Sequence, residues 1–146
     1  MEFSNDGFRD SLTSTLAPYL FQQLLEQEAA AADRENRIVS VGIIQCTGNA
    51  KALSYDLVAL NSVLRMTDRS DEFYSRVVAN GFWLFIRGNQ AAAERALERV
   101  NDELQSGKIA LTSLTNVSYK AVERNTQRNI VDWLGRIDCA SFPNEK

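Results

Sequence analysis

This sequence lacks the side chain most often used for acid–base catalysis and for zinc binding. The chain has no histidine, which excludes Ser-His triads, histidine general bases and histidine-ligated zinc. Its two cysteines are too few for a disulfide framework or a cysteine metal site. Polar residues do occur where apolar runs end, namely Gln45 and Thr47 after one run and Asn80-Gly81 between two others. These groups can form hydrogen bonds, but Mg²⁺ prefers carboxylate oxygens.

Length and composition indicate an ordinary globular protein. The 146 residues are 45% hydrophobic and 24% charged, which predicts one domain over 1–146 with flexible tails at about 1–9 and 142–146. A net charge of −3 gives no bulk electrostatic argument for nucleic acid or an anionic membrane as a partner. No apolar run is long enough to span a bilayer, and no basic region followed by an apolar core begins the chain. We therefore expect a cytoplasmic protein.

Hydrophobic periodicity predicts alternating helices and strands. Leu53, Leu57 and Leu60 recur at helical spacing, whereas Ile38–Ile44 is a short β-branched run typical of a buried strand. The predicted helices cover about 16–33, 50–66, 91–104 and 129–140, and the predicted strands cover about 38–44, 73–78, 82–87 and 109–117. The order α-β-α-ββ-α-β-α favours a single α/β-type domain.

The two middle strands should form a hairpin. Asn80-Gly81 lies between two apolar runs, and this dipeptide favours a type I′ turn, which needs positive φ at both central residues. Alternation along the second strand places Trp83 and Phe85 on one face. These aromatic side chains belong to the core if helices cover both faces of the sheet. If one face is open, they form a surface for a protein partner.

The hairpin resembles the signature of GGDEF domains, which make cyclic di-GMP from two GTP molecules. Arg76–Phe85 follows the pattern R-[VL]-G-G-D-E-F-x-[IL]-[ILF] in its scaffold. Asp10-Ser11-Leu12-Thr13 and Phe21 match parts of the family's opening motif, and the alanine-rich helix at 91–104 and the closing helix fall in the family's order. The resemblance implies a palm-like, ferredoxin-like α+β fold. Its central antiparallel sheet is flanked by helices, and the helical region after the first strand is shortened.

The same comparison implies that the chemistry has been lost. Phosphoryl transfer in the family needs metal ions held by carboxylates, yet neutral residues occupy the corresponding positions here. Those degenerate signature positions are Gln45, Thr47, Val78, Ala79, Asn80, Gly81 and Phe82. We therefore expect a protein that is not an enzyme and has no metal or cofactor. A catalytic alternative would need carboxylates from elsewhere, and Asp56 and Asp71 are the nearby candidates.

A second family motif, the product-binding R-x-x-D, has a partial counterpart. Arg69 and Glu72 lie in the matching register, and a literal R-x-x-D at Arg65 and Asp68 lies one turn earlier. Arginine presents a planar fork to phosphate or to guanine edges. The alternative interpretation is a solvated helix end with mixed charges.

Together these features predict a bacterial, catalytically inactive GGDEF-like regulator. It would act by protein–protein contact or self-association in or near cyclic di-GMP signalling. The alternative is a receptor that binds cyclic di-GMP or GTP without turning it over.

Overall fold

A computed structural model describes residues 15–47, 53–67, 73–78, 80–106, 116–125 and 129–140. The predicted tails, 1–9 and 142–146, lie outside these residues. The helices are α1 (Pro18–Glu35), α2 (Leu53–Thr67), α3 (Gln90–Gln105) and α4 (Ile130–Ala140), and the strands are β1 (Val39–Thr47), β2 (Phe73–Val78), β3 (Gly81–Arg87) and β4 (Asn116–Glu123). The predicted order α-β-α-ββ-α-β-α is therefore confirmed.

The four strands form one antiparallel sheet in the order β2-β3-β1-β4. The β-branched run predicted to be a buried strand is β1, which pairs with β3 on one side and β4 on the other. Helices cover both faces, which confirms the α+β class with a central antiparallel sheet. Because β1 lies between β3 and β4, the end of β1 near Gln45 has the hairpin on one side and the start of β4 on the other.

Two apolar layers hold the helices on the sheet. One contains Leu57 and Leu60 of α2 and Leu97 of α3, packed with Ile44 and Phe82. The other lies on the opposite face, where side chains of α1 and α4 pack against side chains of the sheet. Its members are Phe21, Leu25, Ala29 and Ala32 of α1, Trp133 and Ile137 of α4, and Val39, Val41, Ile43, Trp83, Phe85 and Val122 of the strands. Period-2 alternation along β1 and β3 separates the two layers, so β3 sends Phe82 to one core and Trp83 to the other.

Local signals explain the ends of α1 and α3. Pro18 opens α1, where its missing N–H costs no hydrogen bond, and Asn36 closes it in the left-handed conformation. The Asn89 side chain caps α3 by accepting a hydrogen bond from the Ala92 amide at 3.0 Å. Of the helices that the structure describes, none combines the length and the apolar character needed to cross a membrane.

The hairpin is present, but its turn lies one residue earlier than a type I′ turn on Asn80-Gly81 requires. Val78 pairs with Gly81, so the connection between the strands is residues 79–80. Gly81 does not adopt positive φ, and it belongs to β3, where it pairs with Gln45. The type I′ prediction is therefore wrong. The dipeptide is held by contacts with β1 rather than by turn geometry.

The last strand continues further along the chain than predicted. β4 covers Asn116–Glu123, whereas the β-propensity of the preceding residues favoured 109–117. Residues 109–115 lie outside the described part of the chain. Asn116, Ser118 and Lys120 have low strand propensity, but pairing along Ser40–Thr47 of β1 fixes β4 in the sheet. Tertiary pairing therefore outweighs local preference here.

Candidate functional site

The carboxyl end of β1 meets the hairpin at the positions where the resemblance places an active site. Gln45 lies between Gly81 of β3 and Ser118 of β4 in the sheet register. The Cys46 amide donates a 2.8 Å hydrogen bond to the Asn80 carbonyl oxygen, which fixes the hairpin loop on the end of β1. The structure thus brings Gln45, Asn80 and Gly81 together.

A buried pair of amide side chains occupies the centre of this site. Gln45 is fully buried, and Asn80 is 6% exposed. The Gln45 Nε2 donates to Asn80 Oδ1 at 3.0 Å, and Asn80 Nδ2 donates to the Cys46 carbonyl oxygen at 3.0 Å. Because both side-chain amide groups donate to an acceptor, they can be buried without a large penalty. These hydrogen bonds therefore account for the burial of the amide pair.

Gly81 closes the site by close approach of two backbones. A Cβ atom at this position would lie 2.8 Å from the Gln45 Cα atom and would also overlap the Ile44 carbonyl oxygen. Real Cβ atoms essentially never approach backbone atoms so closely. A side chain of any kind at position 81, a carboxylate included, would require the strands to separate.

One carboxyl group lies near this site. Asp56 is fully buried on α2, and its negative charge adds to the effect of burial, which raises the pKa of the Cys46 thiol to about 12. Asp71, the other carboxylate considered from the sequence, lies outside the described residues. Within the described ranges, no three His, Cys, Asp or Glu side chains are grouped closely enough to hold a metal ion.

The two thiols should therefore differ sharply in reactivity. Cys46 is buried with a raised pKa, whereas Cys139 is exposed on α4. Because the thiolate is the reactive form, we expect a chromogenic disulfide reagent at pH 8 to label one thiol per native chain and two in denaturant. A Cys139→Ser variant provides the control, since it should show no rapid native labelling. Fast labelling of that variant would contradict the burial of Cys46.

The amide pair should contribute measurably to stability. Gln45→Leu keeps the side-chain volume but leaves Asn80 Oδ1 buried without its Gln45 donor, a loss of about 1–3 kcal/mol. Urea unfolding of Gln45→Leu, Asn80→Ala and the double variant measures the coupling, which we expect to be about 1 kcal/mol. Additive losses would show that the two side chains do not interact.

The other predicted site residues have mixed outcomes. Val78 is half-buried and Phe82 is fully buried, while Thr47 ends β1 opposite Asn116. Ala79 and the side chain of Thr47 lie outside the described residues. Arg65 is exposed in the last turn of α2, and its predicted companions lie outside the described ranges, namely Asp68, Arg69 and Glu72.

The partner-surface alternative for two aromatic residues is wrong. Trp83 is 5% exposed and Phe85 is fully buried, because α1 and α4 cover their face of the sheet. Both side chains therefore belong to the core, which was the other interpretation of the alternating pattern.

Sequence reasoning missed two features of the site. The Cys46 carbonyl oxygen accepts a hydrogen bond from Asn80. Every residue has a backbone carbonyl group, so the residue type at position 46 does not predict this contact. The spatial role of Gly81 was also missed, because Asn-Gly signals a turn more strongly than a close approach of strands. A glycine at the start of an otherwise bulky strand was the available signal.

Comparisons with known proteins find similarity in structure. No protein-family model matches the sequence, and no curated protein matches it. The GGDEF domain of DgcB from Caulobacter crescentus, solved in complex with c-di-GMP, superposes with a TM-score of 0.78 at 17% identity, over 95% of this chain and 90% of that one.

Two further solved structures have similar folds. The FimX GGDEF domain from Pseudomonas aeruginosa has a TM-score of 0.73 at 15% identity, covering 90% of this chain and 89% of that chain. The diguanylate cyclase SiaD from Pseudomonas aeruginosa, in complex with its activator SiaC, has a TM-score of 0.74 at 19% identity, over 90% of this chain and 55% of that one. The protein described here therefore has the fold of GGDEF domains.

Proposed function

We propose that this chain is a catalytically inactive GGDEF-like regulator that binds another protein in or near c-di-GMP signalling. The observation that carries the proposal is the buried Gln45–Asn80 amide pair. It occupies positions where the resemblance expects carboxylates. Amide groups that hydrogen-bond to each other offer Mg²⁺ no negative ligand, and without metal ions nothing neutralises the charge that develops on a transferring phosphoryl group.

Gly81 supports the same conclusion from sterics. The glutamate expected by the signature pattern would overlap the backbone of β1, so the strands have closed over the space that a ligand side chain would need. Reintroducing the acids as Asn80→Asp and Gly81→Glu would therefore disturb the hairpin instead of restoring a metal site.

A protein-binding role fits a domain whose sheet and packed helices are intact although its site carries neutral residues. The cores on both faces of the sheet are complete, so the chain presents a stable platform despite its neutral site. SiaD, one of the proteins that this chain resembles in fold, is itself found in complex with a protein activator. We place the protein in the bacterial cytoplasm, where c-di-GMP signalling operates in the family.

The catalytic part of the proposal is tested by product analysis. The full chain is incubated with GTP and either Mg²⁺ or Mn²⁺, and c-di-GMP is measured by chromatography, with the diguanylate cyclase SiaD and its activator SiaC as positive control. We expect product from SiaD and none from this chain. Formation of c-di-GMP that scales with the concentration of this protein would overturn the proposal.

A second candidate function is a receptor for c-di-GMP or GTP. Arg65 is an exposed guanidinium at the end of α2, and the DgcB domain that resembles this chain in fold was solved with c-di-GMP. A receptor should lose c-di-GMP binding on Arg65→Ala and Arg69→Ala. Arg34→Ala, which removes an exposed guanidinium from α1, is the matched control and should leave binding unchanged.

A further inference from the structure

Side chains bind the backbone groups that the second half of β4 turns away from β1. The Arg124 amide donates to the Val39 carbonyl oxygen of β1 at 2.9 Å. Because the N–H and C=O groups of successive residues face opposite sides of a strand, those of Ala121 and Glu123 face the outer edge of the sheet. Free backbone groups on such an edge are a template for pairing with another chain. The partners of these groups therefore decide whether the edge can pair.

The carboxamide of Gln90 binds two of these groups. Its Nε2 donates to the Ala121 carbonyl oxygen at 2.9 Å, and its Oε1 accepts from the Glu123 amide at 3.1 Å. A residue of a neighbouring parallel strand makes the same pair of contacts, since it donates to one residue and accepts from the residue two positions later. One side chain therefore takes the place of a strand residue at this edge.

Further hydrogen bonds hold this arrangement from both faces of the sheet. Gln90 is the first residue of α3, and its own amide donates to Glu123 Oε1 at 2.8 Å. On the opposite face, Arg136 of α4 donates from Nη2 to the Glu123 carbonyl oxygen at 2.9 Å and from Nε to Asp132 Oδ2 at 3.2 Å. The Ala121 carbonyl oxygen and both backbone groups of Glu123 are thus bonded to side chains of two helices.

We propose that Gln90 and Arg136 close the outer edge of β4 and so keep two copies of this chain from pairing through their sheets. Lys120 is exposed on the same strand and acts in the same direction, because charged side chains, lysine above all, discourage pairing at an edge. This inference goes beyond the proposed function. It also places the binding of a protein partner on a surface other than the second half of β4.

The test is the self-association of the full chain with Gln90→Ala and Arg136→Ala combined. The double variant leaves the outward backbone groups of Ala121 and Glu123 without their side-chain partners, so we expect two copies to pair through β4. Sedimentation velocity up to millimolar protein should give the mass of one chain for the natural protein and a rise toward the mass of two chains for the variant. The ¹⁵N amide resonances of both residues should shift with concentration in the variant only.

Two control variants identify the surface that associates. Gln105→Ala with Arg95→Ala removes the same two residue types from exposed positions on α3, and this variant should keep the mass of one chain. Glu123→Pro added to the first double variant removes the outward N–H of β4. It leaves the ladder with β1 in place, because proline is tolerated on an edge strand where the N–H faces outward. This triple variant should return to the mass of one chain.

Milder measurements cover the case in which the double variant does not fold. Gln90→Ala alone keeps the bond from Arg136 to Glu123, and it should associate in the same direction but more weakly. In the natural protein the Glu123 amide is bonded to Gln90, so its hydrogen exchange should be about tenfold or more slower than in an unfolded chain.

Several outcomes would overturn the inference. One is a folded Gln90→Ala variant, single or double, that stays a single chain at millimolar concentration, since water would then satisfy the edge as well as the side chains do. Others are association that persists with Glu123→Pro, pairing of the natural chain through β4, or exchange of the Glu123 amide at the rate of an unfolded chain. None of them touches the proposed function, whose catalytic part depends on the product assay.

Discussion

Replacing Gly81 with alanine should lower the free energy of unfolding by about 3 kcal/mol or more. The added Cβ atom would overlap the Ile44 carbonyl oxygen and lie 2.8 Å from the Gln45 Cα atom. Backbone atoms cannot rotate away as a flexible side chain can, so β1 and β3 would have to separate where the amide pair lies. Overpacking that forces backbone shifts costs about 1–3 kcal/mol and occasionally more. Urea unfolding measures the loss as a lower midpoint.

A matched glycine in α4 provides the control for this prediction. A Cβ atom built at Gly135 meets no other atom within 4 Å, and the residue is exposed in the helix. Gly135→Ala should raise the free energy of unfolding by up to about 1 kcal/mol, because alanine favours a helix more than glycine does. If Gly81→Ala were as stable as the natural protein, the close approach of the two strands would be wrong.

Replacing Phe85 with alanine should cost about 4 kcal/mol of stability. Phe85 is fully buried and stacks on Phe73 with ring centroids 4.7 Å apart. Its removal would leave a cavity in the layer between the sheet and the α1 and α4 helices, and truncation of a buried phenylalanine costs about 3–5 kcal/mol.

An exposed aromatic residue serves as the reference for Phe85. Tyr19 is 71% exposed, so Tyr19→Ala should change the free energy of unfolding by less than about 0.5 kcal/mol. Both variants are measured by urea unfolding under the same conditions. A loss below about 1 kcal/mol for Phe85→Ala would instead favour a surface role for this face of β3, since such a value is typical of exposed positions.

The sequence predicted the fold well where one pattern dominated. The β-branched run of β1 and the leucine spacing of α2 each had a single interpretation, and both elements form. β4 continues past its predicted end at residue 117 because its backbone pairing with β1, rather than its side chains, holds it in place. An edge strand is also only partly buried, so it shows little of the alternation that identifies an inner strand.

The predictability of the site depended on the kind of group involved. The resemblance aligns Gln45 and Asn80 with carboxylate positions of the family, but the hydrogen bond between these two side chains is seen only in the structure. The Cys46 carbonyl oxygen and the packing of Gly81 involve backbone atoms, which a sequence does not display. The burial of Trp83 and Phe85 depends on where α1 and α4 pack, so alternation alone left both faces of β3 open as alternatives.

We propose that β1 and β3 have closed over the position where the resemblance places GTP and its metal ions. A thermal-shift titration of the full chain with GTP and Mg²⁺ tests this closure. A ligand that binds only the folded state at a hundred times its dissociation constant adds about 2.7 kcal/mol of stability. We expect an unchanged unfolding midpoint up to millimolar GTP. A saturable rise in the midpoint, lost on Gln45→Leu, would show that the site still binds nucleotide and that the strands have not closed over it.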